Sequence, residues 1–278
     1  MNYLLIDKMI KNALNEDIPN EDITTNSIID KDSKSEIDLI CKEEGVIAGL
    51  DIFKRVFDIL GDVDVKLFKE DGNKVNRYEK IALLRGNTRN LLAGERVALN
   101  YLQRMSGIAT KTNRFVKKLE GSNTKLLDTR KTIPNMRNLE KYAVKVGGGC
   151  NHRFNLSDGI LLKDNHIDAA GGVKNAIELA RKNISFVRKV EVEVENLEMV
   201  KEAVEAKADI IMLDNMDLDM AREALAIINK RAIVELSGNV NIDNIGEIGK
   251  IGVDYISVGE LTHSVKALDL SMKNLRNI

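Results

Sequence analysis

The stretch DIIMLDN (209–215), followed by AIVELSGN (232–239), decides the fold. Each is a short, almost continuous apolar run that stops abruptly at polar residues. A parallel strand covered on both faces reads this way, because neither face meets water. Four further runs have the same form: TKLLDTRKT (124–132), GILLKDNH (159–166), KVEVEVEN (189–196) and DYISVGE (254–260). One polar residue from each end marks the beat: Lys131, Lys163, Glu193, Asp214, Ser237 and Gly259. The intervals are 32, 30, 21, 23 and 22 residues. A strand, a helix and two loops need about that much chain, so the rhythm predicts repeated βα units. Six beats are fewer than the eight of a closed (β/α)8 barrel. An open, incomplete α/β barrel is one solution and a doubly wound sheet the other. No GxGxxG follows a strand and no P-loop lysine motif is present, which counts against dinucleotide and triphosphate binding.

The chain before residue 120 has a different rhythm. Leu4, Leu5, Met9, Ile10, Ala13 and Leu14 form an amphipathic stripe that Pro19 and Asn20-Glu21-Asp22 end. SEIDLICKEEGVIAGLD (35–51) holds two short strand-like runs around a glycine turn. IFKRVFDIL (52–60) is helical in pattern, and VDVKLFK (63–69) and KIALLRG (80–86) are strand-like. A long helix is expected from Leu91 to about Glu120, with Ser106-Gly107 as its one weak point. This is a small mixed α/β unit ahead of the repeats.

The 278 residues carry 42 Lys+Arg and 43 Asp+Glu, a net charge of -1, which argues against a long polyanion bound over a broad basic surface. With no Trp and 4% aromatics, the core must be aliphatic. The two cysteines, Cys41 and Cys150, form neither a disulfide framework nor a zinc spacing. No run of 18 apolar residues exists, and the N-terminus does not read as a signal peptide. A soluble, cytoplasmic protein is expected, without membrane or nucleic-acid partners.

In parallel α/β folds ligands bind at the carboxyl ends of the strands. Those ends carry Arg130, Lys131, His152, Arg153 and Lys163, then Glu193 and Asp214, then Ser237-Gly238-Asn239 and Val258-Gly259-Glu260. Cations gathered at one mouth repel unless an anion sits among them, and arginine suits carboxylates and phosphates. Two neighbouring acids suit a divalent metal or ribose hydroxyls. SGN and VGE offer backbone N–H groups where a helix is expected to begin, a common phosphate cradle. The set fits a small anionic acid beside a sugar phosphate with Mg2+. Taken singly, each element is ordinary: a strand-end lysine is usually solvated, and an SG is usually a turn. A Schiff-base aldolase using Lys131 or Lys163, and a non-catalytic anion binder, are the competing classes.

The block LLDTRKTIPNMRNLEKYAVKVGGGCNHRFNLSDGILLKDNHI (126–167) closely resembles the central signature of the quinolinate phosphoribosyltransferases, the carboxylating nicotinate-nucleotide pyrophosphorylases. ERVALNYLQRMSGIAT (95–110), VEVEVENLEM (190–199), IIMLDNM (210–216), ELSGNVNIDNI (235–245), YISVGELTHS (255–264), EDI (16–18) and DITT (22–25) resemble it too. The resemblance implies an N-terminal α/β sandwich (1–108, joined by the tail 268–278) and an open, incomplete α/β barrel (109–267). It implies a reaction of quinolinate with phosphoribosyl pyrophosphate, giving nicotinate mononucleotide, pyrophosphate and CO2 in NAD biosynthesis. Mg2+ is expected and no organic cofactor. A homodimer with a shared active site is implied, alone or assembled into a hexamer.

On matching positions, Arg130, His152, Arg153 and Lys163 would hold the quinolinate carboxylates, with Thr129 in the same pocket. Arg104 would reach it from the neighbouring subunit. Lys131, Glu193 and Asp214 are the catalytic candidates. Lys131 would stand between quinolinate and the pyrophosphate side of the second substrate. Glu193 and Asp214 would face the ribose and the metal, directly or through water or substrate. Ser237, Gly238, Asn239, Gly259 and Glu260 would cradle the 5′-phosphate. Asn239 replaces the glycine of many relatives, although SGNV also occurs in the family. Asn165 and His166 are read as support for these groups. Within the same fold, another anionic acceptor in place of quinolinate is the alternative.

Overall fold

The computed structural model describes residues 2–278. In chain order the first half forms α1 (Tyr3–Asp17), α2 (Ile23–Ile28), β1 (Lys34–Cys41), β2 (Gly45–Val46), α3 (Leu50–Leu60), β3 (Val63–Leu67), β4 (Lys74–Val75), β5 (Lys80–Asn87) and the long α4 (Thr88–Lys118). There follow β6 (Lys125–Leu127), α5 (Arg137–Val146), β7 (Ile160–Leu162), α6 (Asp164–Ala170), α7 (Val173–Asn183), β8 (Val190–Val194), α8 (Leu197–Glu205) and β9 (Ile210–Asp214). The last elements are α9 (Leu218–Ile228), β10 (Ile233–Ser237), α10 (Ile245–Ile248), β11 (Tyr255–Ser257), α11 (Glu260–His263) and β12 (Leu270–Asn277). Contacts divide the chain into two compact units. One holds the residues up to Asn113 with Ile133–Gly148 and Ser264–Ile278; the other holds Arg114–Thr132 and Gly149–His263.

The first unit is built on a four-stranded antiparallel sheet in the order β12-β1-β5-β3. The C-terminal tail therefore completes it as an edge strand. Asn2 caps α1 by accepting the Leu4 N–H at 3.1 Å. The buried side of α1 is Ile6, Ile10 and Leu14, one residue every turn. Leu4 is 86% exposed, so the apolar face is narrower than the expected stripe. The weak point expected in α4 does not break it. A Cβ on Gly107 would come within 2.3 Å of the Lys266 carbonyl, so this glycine serves a close approach of two chain segments. By contacts, residues 133–148, expected within the barrel, group with this unit, which otherwise runs to Asn113 and resumes at Ser264, a few residues from the expected boundaries at 108/109 and 267/268. An amphipathic helix such as α5 announces that it has an apolar face, not which core that face covers.

The second unit carries the repeats. Six parallel strands run in the order β6-β11-β10-β9-β8-β7. Beyond β6, Cys150 forms an isolated parallel bridge with Leu127. From β7 to β11 each strand lies beside the last in one direction with no reversal, so the doubly wound alternative falls, and among the described residues β6 and β7 do not pair, so the barrel is open. Val192, Val194, Ile211, Leu213, Val234, Leu236 and Ile256 are all buried on one face. Fully burying such a side chain contributes roughly 1.5–3 kcal/mol. The other face carries Leu161 and Lys163, Glu191 and Glu193, Met212 and Asp214, Glu235 and Ser237. The alternation in VEVEV thus arises because one face looks into the barrel, not because it looks into water. No helix is long and apolar enough to cross a membrane among the described residues.

Candidate active site

The carboxyl ends of these strands open into a cavity of about 610 Å³. Thr129, Arg130, Lys131, His152, Arg153, Lys163, Glu193, Asp214, Ser237, Gly238, Asn239, Gly259 and Glu260 all line it. Every candidate except Arg104 is therefore gathered in one mouth. Arg104 lies on α4 in the first unit and pairs with the buried Glu140, its Nε donating at 2.6 Å. Burial pushes the Glu140 carboxyl up, and Arg104 opposes that shift.

The cationic side is built from the end of β6 and the segment after Gly149. Asp128, fully buried, accepts the His152 N–H at 2.9 Å and the Asn151 side-chain amide at 2.6 Å. Two bonds thus fix the segment that bears His152 and Arg153 against the end of β6, just before Arg130 and Lys131. Thr129 Oγ1 accepts the Lys131 N–H at 3.0 Å, and Thr262 Oγ1 donates to the Lys131 carbonyl at 2.8 Å. A Cβ on Gly259 would lie 3.0 Å from Lys131 Cδ, so the lysine stem runs close over that glycine. Arg153 donates to the Gly159 carbonyl at 3.0 Å. Burial and the neighbouring Arg130 guanidinium pull Arg153 below its ordinary value, and Glu191 partly offsets them. Arg130 and Arg153 are thus two like charges held close together in the mouth.

The acids meet this wall directly. Lys163 Nζ is ion-paired with Glu193, whose side chain is 11% exposed. His166 Nδ1 accepts the Lys163 N–H at 3.0 Å and so supports the backbone at that point. Asp214 follows on β9 and accepts from the Asn215 side chain at 2.7 Å. Next comes the loop after β10. Gly238 and Asn239 both have left-handed backbone, at φ +86° and +53°. The following helix begins only at Ile245, so the cradle here is loop backbone and not the start of a helix.

Beneath the mouth lies a trio that sequence reading passed over. His152 Nε2 stands 3.2 Å from Glu191 and 3.4 Å from Glu235, both acids being buried inside the barrel. Burial opposes charge on the ring, and the two carboxylates outweigh it, lifting its pKa to about 10. His152 Nδ1 accepts the Arg153 N–H at 2.6 Å, which turns the Nε2 edge of the ring toward the glutamates. Burial raises the Glu191 carboxyl, with Glu235 adding to the effect and His152 opposing it. Glu235 Oε1 is buried without a hydrogen-bond partner.

Two groups of acids could receive a divalent ion. The trio brings its ligand atoms within 4.8 Å of one another. An ion there would have to displace the Nε2 proton that His152 shares with Glu191 and Glu235, which those carboxylates hold firmly. Glu193 and Asp214 fit better. Mg2+ binds through one or two carboxylates and fills its octahedron with water and substrate oxygens.

Asn215, Asn241 and His263 also line the mouth. Only His263 had a usable sequence signal, since it lies four residues past Gly259 and so near the end of the last strand.

An open parallel barrel with a cationic wall, two strand-end acids and a backbone cradle defines a barrel enzyme for small anionic, phosphorylated substrates. The families described as "Quinolinate phosphoribosyl transferase, N-terminal domain" and "C-terminal domain" match residues 22–106 and 108–273. The chain belongs to the quinolinate phosphoribosyltransferase family. It is 46% identical to the probable nicotinate-nucleotide pyrophosphorylase [carboxylating] of Methanocaldococcus jannaschii, covering 97% of each chain. Identity to the corresponding Bacillus subtilis protein is 44%, over 98% of this chain and 94% of that one. The crystal structure of NadC from Streptococcus pyogenes superposes with a TM-score of 0.97 at 47% identity, covering 100% of this chain and 99% of that chain.

Proposed function

We propose that the barrel mouth transfers the phosphoribosyl group of phosphoribosyl pyrophosphate to the ring nitrogen of quinolinate, with loss of CO2. The observation that carries this is the joining, in one cavity, of a cationic wall with a pair of acids and the left-handed loop Ser237–Asn239. In this reading Arg130, Arg153 and Lys163 anchor the two carboxylates, with His152 at the base of the same wall. They also aim the ring nitrogen at the anomeric carbon, which is most of what such a reaction asks of geometry. The nitrogen lone pair forms the new C–N bond as the C–O bond to pyrophosphate breaks, and the bonding electrons leave with pyrophosphate. Lys131 stabilises the charge that develops on the leaving group. Glu193 and Asp214 face the ribose, where positive charge grows.

Mg2+ would be held by Glu193 and Asp214, directly or through water or substrate, and would supply further positive charge to the pyrophosphate. Loss of the adjacent carboxylate leaves its electron pair on the ring carbon, next to a now cationic nitrogen. A proton from water replaces it, and no organic cofactor is required. The same reading makes the protein a cytoplasmic homodimer whose mouth is completed by Arg104 of the second copy. Its two free thiols are in keeping with a reducing compartment.

The test supplies purified protein with phosphoribosyl pyrophosphate, Mg2+ and either quinolinate or nicotinate. CO2 and nicotinate mononucleotide should form from quinolinate alone. Turnover of nicotinate with none of quinolinate would overturn the reading.

A further inference from the structure

We propose that Asn215 is a positioning residue that ties the Asp214 carboxylate to the loop Ser237–Asn239, so that the acid and the phosphate cradle are held as one piece. The inference rests on the reading above. Three contacts carry it. Asn215 Nδ2 donates to Asp214 Oδ2 at 2.7 Å. Asn239 Nδ2 donates to Asn215 Oδ1 at 3.1 Å. The Asn215 backbone N–H donates to the Ser237 carbonyl at 3.0 Å. One short side chain thus serves an acid on its own strand end and the loop of the next strand.

Only a primary amide fits this position. It donates to a carboxylate on one side and accepts from an amide on the other through two separate atoms; aspartate lacks the donor, leucine lacks both groups, and serine has only a single atom for both bonds. The backbone is left-handed, φ +55°, a conformation asparagine tolerates better than most residues. Packing is equally demanding: a Cβ on Gly238 would fall 2.2 Å from Asn215 Oδ1 and 2.8 Å from its backbone nitrogen. Gly238 therefore lacks a side chain so that the loop can close on this amide. The link through Asn239 belongs to the SGNV form of the loop.

The consequence is selective. Asp214 and the loop both meet phosphoribosyl pyrophosphate, whereas quinolinate sits against the cations across the mouth. Asn215→Asp keeps the acceptor, tolerates the backbone and replaces the donor with a second acid beside Asp214. Loss of such a supporting bond typically lowers metal affinity or activity 10- to 100-fold. We expect kcat/KM for phosphoribosyl pyrophosphate to fall by about that factor, and the Mg2+ concentration for half activity to rise. The KM for quinolinate should stay within about twofold of the starting value. Asn215→Gly, which suits the backbone and removes both side-chain bonds, is the second variant. It should show the same split even if the aspartate variant folds poorly. Constants for both substrates that move together, or none that move, would overturn the inference. An inactive unsubstituted protein would instead overturn the functional reading.

Discussion

Lys163 and Glu193 stand side by side at the ends of the adjacent parallel strands β7 and β8, and their side chains form an ion pair. The proposed reaction gives them different partners, a quinolinate carboxylate for the lysine and the ribose or metal for the acid. Binding of substrate must then share or open this pair. Lys163→Met should raise the KM for quinolinate about 10- to 100-fold, the worth of a charged hydrogen bond. Glu193→Gln should act mainly on kcat. The double variant should lose less than the product of the single losses, by roughly 0.5–3 kcal/mol of coupling. Steady-state kinetics of the four proteins tests this; strict multiplicativity would show that the two residues act independently.

Lys131 separates the phosphoribosyltransferase reading from the Schiff-base alternative. Its stem lies along Gly259 and its carbonyl is held by Thr262, which aims a charge into the mouth. Lys131→Met should lower kcat by about 10²–10³-fold while changing the KM for quinolinate little. Gly259→Ala should give a smaller loss, because the added carbon pushes on that stem. Borohydride reduction in the presence of substrates should leave the mass of the protein unchanged. A reduced adduct on Lys131 or Lys163 would mean that the amine is a nucleophile.

Much of this was legible in the chain because buried parallel strands cannot hide their apolar runs. LLD, ILL, VEVEV, IIML, IVEL and YIS mark six strand ends, and the polar residues that stop those runs are the mouth. What stayed hidden has physical reasons. Glu191 in VEVEV reads as a solvated alternation, since pattern alone does not tell a water-filled outside from a barrel interior. Glu235 looks like an interruption of an apolar strand. Asn215 follows a strand as any turn asparagine does, and its role depends on a loop 24 residues further on. Residues 133–148 sit between two barrel strands in sequence yet contribute to the other unit.

Arg104 tests whether the site is shared. Arg104→Ala should abolish turnover although the residue lies on α4 and not on a barrel strand. It also strips the buried Glu140 of its ion pair, so thermal unfolding must accompany the assay. Mixing the variant with Lys131→Ala protein decides the matter without that ambiguity. Random exchange in a two-fold dimer should restore about one quarter of full activity. No recovery after demonstrated subunit exchange would mean that each mouth is complete in its own chain.

The tail strand predicts a pH dependence of stability. Asp38 on β1 is 8% exposed and is reached by Lys80, Asn274 and Arg276, the last two from β12. Burial raises its carboxyl, but the three hydrogen-bonding partners outweigh burial and hold it below the ordinary value of 3.8. A carboxyl that binds its proton less readily in the fold than in the unfolded chain stabilises the fold above its unfolded pKa. That contribution disappears as pH falls through the folded value. Asp38→Asn should therefore be less stable than the unsubstituted protein at pH 7, in urea unfolding followed at constant salt. The gap should persist at pH 5, begin to narrow near about pH 4, where free aspartate takes up its proton, and close only below the depressed folded value. A gap that stays constant down to acid pH would show that the asparagine loses packing and not charge. One that widens in acid would reverse the sign of the assignment.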